Sequence, residues 1–301
     1  MDEPLRAYLR RSWPLYAMIL PGVVFILLFR YFPMYGVIIA FQDFSPAKGF
    51  AGSPWVGWDN FEFLFSLMEF RRIFGNTLII SVSKIVLDQA GAIILALLLN
   101  EARRLLFRRT IQTIIYLPYF LSWIVLGGIL LDILSTRGIV NQAMGALGVE
   151  PQLFLGSNNW FRGTVIASGF WKNVGFSTIV YLAALTAINP LLHEAAAIDG
   201  AGRFRRIWHV TLPGIRPTIV LLAALGLGDV LQAGFEQILT LYSPAVYSSG
   251  DIIDTYVYRA GLISAQYSLA GAVGLFKSVI GFFLIVSSYW LADRYAGYRI
   301  L

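Results

Sequence analysis

The sequence has 301 residues, of which 57% are hydrophobic and only 13% are charged, and its mean hydropathy is +0.69. Soluble domains carry about 25% charged residues, so this composition excludes a soluble globular enzyme, and its many apolar side chains exclude an intrinsically disordered chain. The absence of cysteine excludes a disulfide scaffold, a thiolate metal site and thiol catalysis. The net charge of +6 does not by itself indicate nucleic-acid binding, because in a membrane protein the positions of the basic residues report orientation.

In chain order, six apolar runs are each long enough for a transmembrane helix, which needs about 20 residues. A β-barrel would instead show alternating hydrophobicity over about 10 residues per strand, so we expect an all-α integral membrane protein with one domain over residues 1–301. The first run is interpreted as an uncleaved anchor, because no small-residue cleavage site follows it. The six expected spans lie at about 13–41, 73–99, 110–134, 161–188, 218–241 and 271–292.

The basic residues predict the orientation of these spans, because cytoplasmic connections carry an excess of Lys and Arg. With the N-terminus inside, the outer connections hold six basic residues: Lys48, Arg71, Arg72, Arg137, Arg162 and Arg259. The inner segments hold 13: Arg6, Arg10, Arg11, Arg103, Arg104, Arg108, Arg109, Arg203, Arg205, Arg206, Arg216, Arg294 and Arg299. We therefore expect both termini to be cytoplasmic.

The sequence lacks the residue sets of catalysis. It has no G-x-x-x-x-G-K-[ST] phosphate loop, and its two histidines, His193 and His209, do not have the H-E-x-x-H spacing of a zinc site. Both lie in an arginine-rich connection, and no G-x-S-x-G or G-x-G-D motif of an intramembrane protease is present. We expect no catalytic residue, no metal site and no cofactor in this chain.

The connection between the fourth and fifth expected spans, residues 189–217, has its own helix signals. Pro190 suits the first turn of a helix that continues to Ile198, and Asp199-Gly200 is a turn or C-terminal cap signal. A second helical stretch is expected from Ala201 to His209, ending before Leu212-Pro213. A solvated loop that only sets the topology remains the alternative interpretation.

Residues in this connection resemble the E-A-A-x-x-x-G coupling motif of ATP-binding-cassette (ABC) importer permeases. The D-G-A form and the closing L-P-x-x-x-P are most similar to the carbohydrate-uptake group that includes the maltose permeases. Two further stretches, at 31–44 and 56–78, resemble the same group, and the first of them looks like the subgroup that handles oligosaccharides and polysaccharide fragments, alginate importers among them. The residues that match the coupling motif are Glu194, Ala195, Ala196, Asp199, Gly200, Ala201, Ile207, Leu212 and Pro213.

The resemblance implies that residues 189–217, here called the coupling segment, carry a cytoplasmic coupling helix that docks on an ATPase. It implies a permease in the cytoplasmic (inner) membrane, working with a second, similar permease and two ATPase subunits that hold ATP and Mg. A solute-binding protein outside the membrane would deliver a carbohydrate. The chain would contact membrane lipid and no nucleic acid.

Charged and polar residues inside apolar spans are costly and frequently functional. A sugar pathway needs hydroxyl partners and an aromatic platform, and basic groups would suit an acidic sugar. Asp229, Gln232 and Glu236 would follow one face of the fifth span at i, i+3 and i+7. The candidate pathway residues are Trp171, Lys172, Asn173, Asp229, Gln232, Glu236 and Lys277.

The alternative for these charges is a structural role in ion pairs between spans or in contacts with a second permease. Lys84 and Asp88, four residues apart, are expected to form a local pair. At the level of function, the alternatives are an ABC permease for another solute, such as glycerol phosphate or a peptide, and an ion-driven secondary transporter. A membrane-embedded enzyme is the weakest alternative, for lack of a catalytic set.

Overall fold

The computed structural model describes residues 5–102 and 104–296, and these residues form helices with no β-strand among them. Helices predominate because a chain in lipid must satisfy its backbone hydrogen bonds internally. The α-helices are α1 Leu5–Ile26, α2 Gly49–Gly52, α3 Asp59–Ser66, α4 Met68–Glu101, α5 Leu105–Tyr116, α6 Trp123–Ile133, α7 Ile139–Ala146, α8 Asn158–Thr186, α9 Pro190–Ile198, α10 Arg203–Arg206, α11 Leu212–Gly228, α12 Phe235–Leu241, α13 Tyr247–Gly250, α14 Ile253–Val257 and α15 Tyr267–Ala296.

Between four and six helical segments of the described chain are long and apolar enough to cross a membrane. Four are continuous: Ser12–Phe41, Met68–Glu101, Arg203–Gly228 and Tyr267–Tyr295. Two more qualify only as bent pairs, α5 to Phe120 with α6 at 104° and α8 with α9 at 70°. Each of the six predicted apolar runs therefore falls in a helical region, but not every region is one straight helix.

The centre of the bundle is the packing of α4 along α8. Ala92 and Ala96 of α4 are fully buried against Val174 and Tyr181 of α8 in one apolar cluster. Small side chains at such a contact let two helix backbones approach closely. The two helices thus form a rigid support for the segments that break.

The first span stands apart from this bundle. Only its last turns, Phe32–Phe41, pack extensively, against α15. Every residue from 13 to 35 is exposed, although most of these side chains are apolar. An apolar helix that leaves its surface uncovered must contact lipid or another subunit in the membrane.

Two expected spans are corrected by the structure. The third, predicted over 110–134, breaks after Phe120, where a 3₁₀ turn over Leu117–Phe120 gives way to the sharp bend. The fifth, predicted over 218–241, ends at Gly228 and is followed by a non-helical turn, in which Gly234 has a φ of +96°. Its helix starts earlier than predicted, at Arg203.

The expected break before Leu212-Pro213 is also wrong. A π-helical turn over Ile207–Thr211 joins α10 to α11, and Pro213 occupies the first turn of α11. The wider π turn changes the hydrogen-bond register at the point where proline lacks an N–H donor. The chain therefore passes from the coupling segment into α11 without a break.

Candidate functional site

A polar cavity of about 200 Å³ lies where α4, α6 and α8 meet the turn that follows α11. Its wall combines charged, amide, hydroxyl and aromatic groups, the mixture that binds polar ligands in largely preformed sites. The side chains that define it are Ser81, Lys84, Asp88, Trp123, Asn173, Asp229 and Gln232.

Lys84 connects three elements around this cavity. Its Nζ donates to the carbonyl oxygen of Ala233 at 2.7 Å and to Oε1 of Gln237. Gln237 in turn donates to the carbonyl of Val165 at 2.8 Å and to Ser168 Oγ at 2.9 Å. The lysine therefore ties the turn between α11 and α12 to both α4 and α8.

The expected local pair between Lys84 and Asp88 is wrong. Asp88 accepts a hydrogen bond from Ser177 Oγ of α8 at 2.6 Å, and Lys84 forms its bonds with residues 233 and 237. The i, i+4 spacing permits a pair, but partners on neighbouring helices are nearer. The two side chains instead link α4 to different parts of the bundle.

Two groups in the cavity wall have no hydrogen-bond partner among the described residues: Ser81 Oγ, on a side chain only 1% exposed, and Oδ1 of Asp88. An unsatisfied buried polar group costs about 1–3 kcal/mol. Such groups favour a ligand that carries hydroxyls, which can both donate and accept.

The structure brings together three of the seven predicted pathway residues. Asn173, Asp229 and Gln232 line the polar cavity, where Gln232 donates to Asp229 at 2.9 Å. They do not share one helix face with Glu236, because Asp229 caps the end of α11 and Glu236 lies exposed on α12 after the turn.

Besides Glu236, three predicted pathway residues lie outside the polar cavity. Trp171 lines a separate apolar groove of about 550 Å³ beside Trp160 and Leu130. Lys172 is buried and binds backbone carbonyls near residue 120, and Lys277 pairs with Asp254 at 2.5 Å. Both lysines thus have partners that suit the structural alternative.

Sequence reasoning missed Trp123, Ser81 and Gln237 as parts of this cavity. Lys84 offered a usable signal, since a charge inside a span is rarely accidental. Nothing in the sequence indicated a role for Trp123, because an aromatic residue in an uncharged apolar run is explained by ordinary packing.

The coupling segment forms a helix, a tight turn and a second helix. Asn189 caps α9 by accepting from the N–H of Leu191 at 3.0 Å, and Gly200 has a left-handed φ of +75°. The N–H groups of Gly200 and Ala201 then bond the carbonyls of Ala197 and Ala196, which completes a helix C-cap of the Schellman type.

This segment presents an exposed surface at one end of the bundle. Ile198 and Phe204 are 87% and 89% exposed, and exposed apolar side chains outside the long apolar runs are typical of a docking surface. An exposed ion pair between Arg203 and Glu101 at 3.7 Å links the segment to the end of α4. Among the predicted coupling residues, the exposed ones are Glu194, Ala195, Asp199, Gly200 and Pro213, and the half-buried ones are Ala196, Ala201, Ile207 and Leu212.

An ion pair between the half-buried Arg259 and the buried Asp251 organises the turns between α12 and α15. Arg259 donates to Oδ2 of Asp251 at 2.6 Å and lies 3.2 Å from the exposed carboxylate of Glu69. Burial opposes the charge of the guanidinium, but its hydrogen bond to Asp251 and the charge of that carboxylate raise the pKa of Arg259 above its ordinary value. The guanidinium of Arg259 therefore remains charged at any physiological pH.

We expect Gly175→Ala to destabilise the protein, because a methyl group at Gly175 of α8 would overlap the carbonyl oxygen of Ile115 in α5. Overpacking of this kind costs about 1–3 kcal/mol. The matched control is Gly163→Ala on the same helix, where nothing lies within 4 Å of the added carbon. Thermal unfolding in detergent should show a lower midpoint for Gly175→Ala alone, and equal midpoints would contradict the packing described.

Comparison with known proteins shows the family to which this architecture belongs. Residues 90–297, more than half of the chain, match the family model described as "Binding-protein-dependent transport system inner membrane component". The chain belongs to this family. As a member of it, the protein is a multi-pass transport subunit of the inner membrane.

Two relatives from Bacillus subtilis (strain 168) are similar to this chain over most of its length. Protein LplB is 42% identical over 96% of this chain and 91% of that protein. The polygalacturonan/rhamnogalacturonan transport system permease protein YteP is 43% identical over 93% of this chain and 88% of that protein.

Two solved structures share the fold. One, a bacterial ABC transporter involved in the import of the acidic polysaccharide alginate, contains a chain 40% identical to this one with a TM-score of 0.90, covering 97% of this chain and 99% of that chain. The other is a bacterial alginate ABC transporter in complex with an alginate pentasaccharide-bound periplasmic protein, 39% identical with the same TM-score.

Proposed function

We propose that this chain is one of two permease subunits of an ABC importer for oligosaccharides derived from acidic polysaccharides. The observation that carries the proposal is the 40% identity over 97% of the chain to a subunit of an alginate importer. The relative YteP, named for transport of polygalacturonan and rhamnogalacturonan, supports the same substrate class, because both named substrates contain galacturonate.

The polar cavity supports this proposal chemically. Asn173 and Gln232 supply amides, Trp123 supplies an aromatic face, and Lys84 lies beside the carboxylates of Asp88 and Asp229. A sugar carries hydroxyls and an apolar ring face, and these groups match the amides, carboxylates and aromatic ring of the wall. In the proposed pathway, sugars pass this cavity when the spans move between inward-open and outward-open states.

The proposal includes six spans with both termini in the cytoplasm, so that the coupling segment faces the cytosol. A second permease would cover exposed membrane surfaces such as the first span, and two ATPases bearing ATP and Mg would dock on α9 of each permease. Closure of the ATPases would then move both coupling helices as rigid bodies. A solute-binding protein on the opposite face would deliver the sugar.

The test is uptake into liposomes by the complete complex. The solute-binding protein is added outside the vesicles, and ATP is enclosed in the lumen with the ATPases. We expect ATP-dependent uptake of uronate oligosaccharides at least about tenfold faster than uptake of neutral glucose oligomers of equal length, a preference worth about 1.4 kcal/mol. Faster uptake of glycerol phosphate or a peptide would overturn the substrate class. Transport by the purified chain alone without ATP would overturn the importer itself.

A further inference from the structure

The bend between α5 and α6 exposes backbone carbonyls that a continuous helix would satisfy. The last turn of any helix leaves carbonyl groups without intrahelical partners, and each unsatisfied group in a membrane costs several kcal/mol. On the far side of the bend, Ser122 Oγ accepts from the N–H of Val125 at 3.3 Å and caps α6. On the near side lie the carbonyl groups of Pro118, Tyr119 and Leu121, of which the Pro118 oxygen also accepts from the N–H of Leu121 at 3.2 Å.

Lys172 satisfies these carbonyls from the middle of α8. Its Nζ lies 3.2 Å, 2.8 Å and 2.5 Å from the carbonyl oxygens of Pro118, Tyr119 and Leu121. An ammonium has three N–H donors, so the number of donors equals the number of acceptors. The side chain is only 8% exposed, and within the described residues no carboxylate forms an ion pair with it.

The same ammonium lies near the aromatic groups on both sides of the bend. It is 5.6 Å from the ring centroids of Tyr119 and Trp123, and Tyr119 stacks on Phe176 of α8 with a centroid distance of 4.1 Å. Cation–π contacts of this kind are worth about 0.5–2 kcal/mol. The contacts hold Trp123, the first residue of α6, on the side of the bend where it lines the polar cavity.

The residues beside Lys172 separate two spaces in the bundle. Trp171 lines the large apolar groove, whereas Asn173 lines the polar cavity. Consecutive residues on a helix point about 100° apart, so Lys172 lies between the two spaces and supports the bend that divides them.

We propose that Lys172 is a positioning residue for transport: it replaces the missing backbone donors at the break between α5 and α6 and thereby fixes Trp123 in the wall of the polar cavity. Its effect on sugar recognition rests on the proposed function, whereas its effect on the position of residue 123 does not. Lys172 need not touch the transported molecule.

The first test uses the absence of native cysteine. In a Trp123→Cys background, residue 123 carries the chain's single thiol, and its rate of reaction with a charged methanethiosulfonate reports access from the aqueous cavity. We expect Lys172→Met to slow this reaction at least about tenfold, Lys172→Gln, with two donors, to slow it less, and Lys172→Arg to leave it within about threefold.

The control is Lys277→Met, which removes a different lysine of the bundle, paired with Asp254, and should leave the labelling rate unchanged. If Lys172→Met fails to fold, the labelling rates of Lys172→Gln and Lys172→Arg are compared instead. An unchanged or faster rate in Lys172→Gln would overturn the proposal, and so would an equal loss in Lys277→Met.

The second test separates positioning from simple stability. In the assembled transporter, Lys172→Gln should raise the KM for the oligosaccharide about tenfold with little change in maximal rate, the pattern of lost binding energy. Trp123→Ala should do the same, and the double variant should add nothing further. A lower unfolding temperature with unchanged KM would make Lys172 merely structural. Failure of the wild-type transporter to take up any sugar would count against the proposed function and leave the labelling result to decide the role of Lys172.

Discussion

Gly200→Val should reduce ATP-driven uptake at least about tenfold while leaving membrane insertion and folding intact. Gly200 has a φ of +75°, a conformation that a β-branched residue adopts only at a cost of about 1–3 kcal/mol. No atom lies within 4 Å of an added Cβ, so the cost comes from the backbone and not from crowding. The chain would relieve it by changing the turn that sets the direction of α9.

Two matched variants isolate this effect. Gly202→Val, two residues later, has the same open surroundings but an ordinary φ of −67°, and should transport normally. Gly200→Asn should be intermediate, because asparagine tolerates the left-handed region. The measurements are uptake and ATP hydrolysis by the same reconstituted complex.

We expect the Gly200→Val complex to hydrolyse ATP without coupled transport. Glu194→Lys, which reverses an exposed charge on α9, should produce the same uncoupling through the docking surface instead of the backbone. Normal uptake by both variants would mean that residues 189–217 do not couple the permease to an ATPase.

The first part of the coupling segment, residues 189–201, is the part of the structure that the sequence predicts best, because its signals are local. Asn189-Pro190 and Asp199-Gly200 mark the two ends of α9, and the helix runs from Pro190 to Ile198 as expected. Capping and left-handed turns depend on residues within a few positions of one another. The apolar runs of the spans are equally local, which is why their approximate places were predictable.

The breaks in the third and fifth predicted apolar runs were not predictable from the residues of those runs. Residues 110–131 form an uncharged run, and the groups that stabilise its break come from Lys172, more than 50 positions away. The break after Gly228 is held in the same way by Lys84, which donates to the carbonyl of Ala233 at a separation of 149 positions. The composition of a run indicates that it can cross a membrane. Only the tertiary structure shows where side chains from other helices replace its backbone hydrogen bonds.

These two lysines share one physical role. Each was conspicuous as a charge inside an apolar span, and each donates to backbone carbonyls where a neighbouring helix is interrupted. A non-helical backbone is tolerated at membrane depth only where protein groups or a polar cavity satisfy it. The breaks in turn create the polar cavity, so structural and functional interpretations of these charges are not exclusive.

Asp251→Ala should be among the most destabilising single substitutions in the chain. It would leave the guanidinium of Arg259, a charge that burial disfavours, with the exposed Glu69 and the rings of Tyr247 and Tyr256. Thr255 would lose the carboxylate to which it donates at 2.7 Å. Removing one partner of a buried pair costs about 3–5 kcal/mol. The free energy of unfolding, measured by denaturant titration in detergent, should fall by about that amount.

Glu69→Ala is the matched control, because it removes the other carboxylate bound to the same guanidinium nitrogen. The Glu69 side chain is 44% exposed and that of Asp251 only 1%, and exposed pairs contribute about 0–1 kcal/mol. Adding Arg259→Met to Asp251→Ala should restore much of the lost stability, since an apolar pair avoids the unpaired charge. Two results would contradict this explanation: equal destabilisation by Glu69→Ala and Asp251→Ala, or no recovery of stability when Arg259→Met is added to Asp251→Ala. Either would mean that the burial of Asp251 does not explain how much this ion pair contributes to the free energy of unfolding.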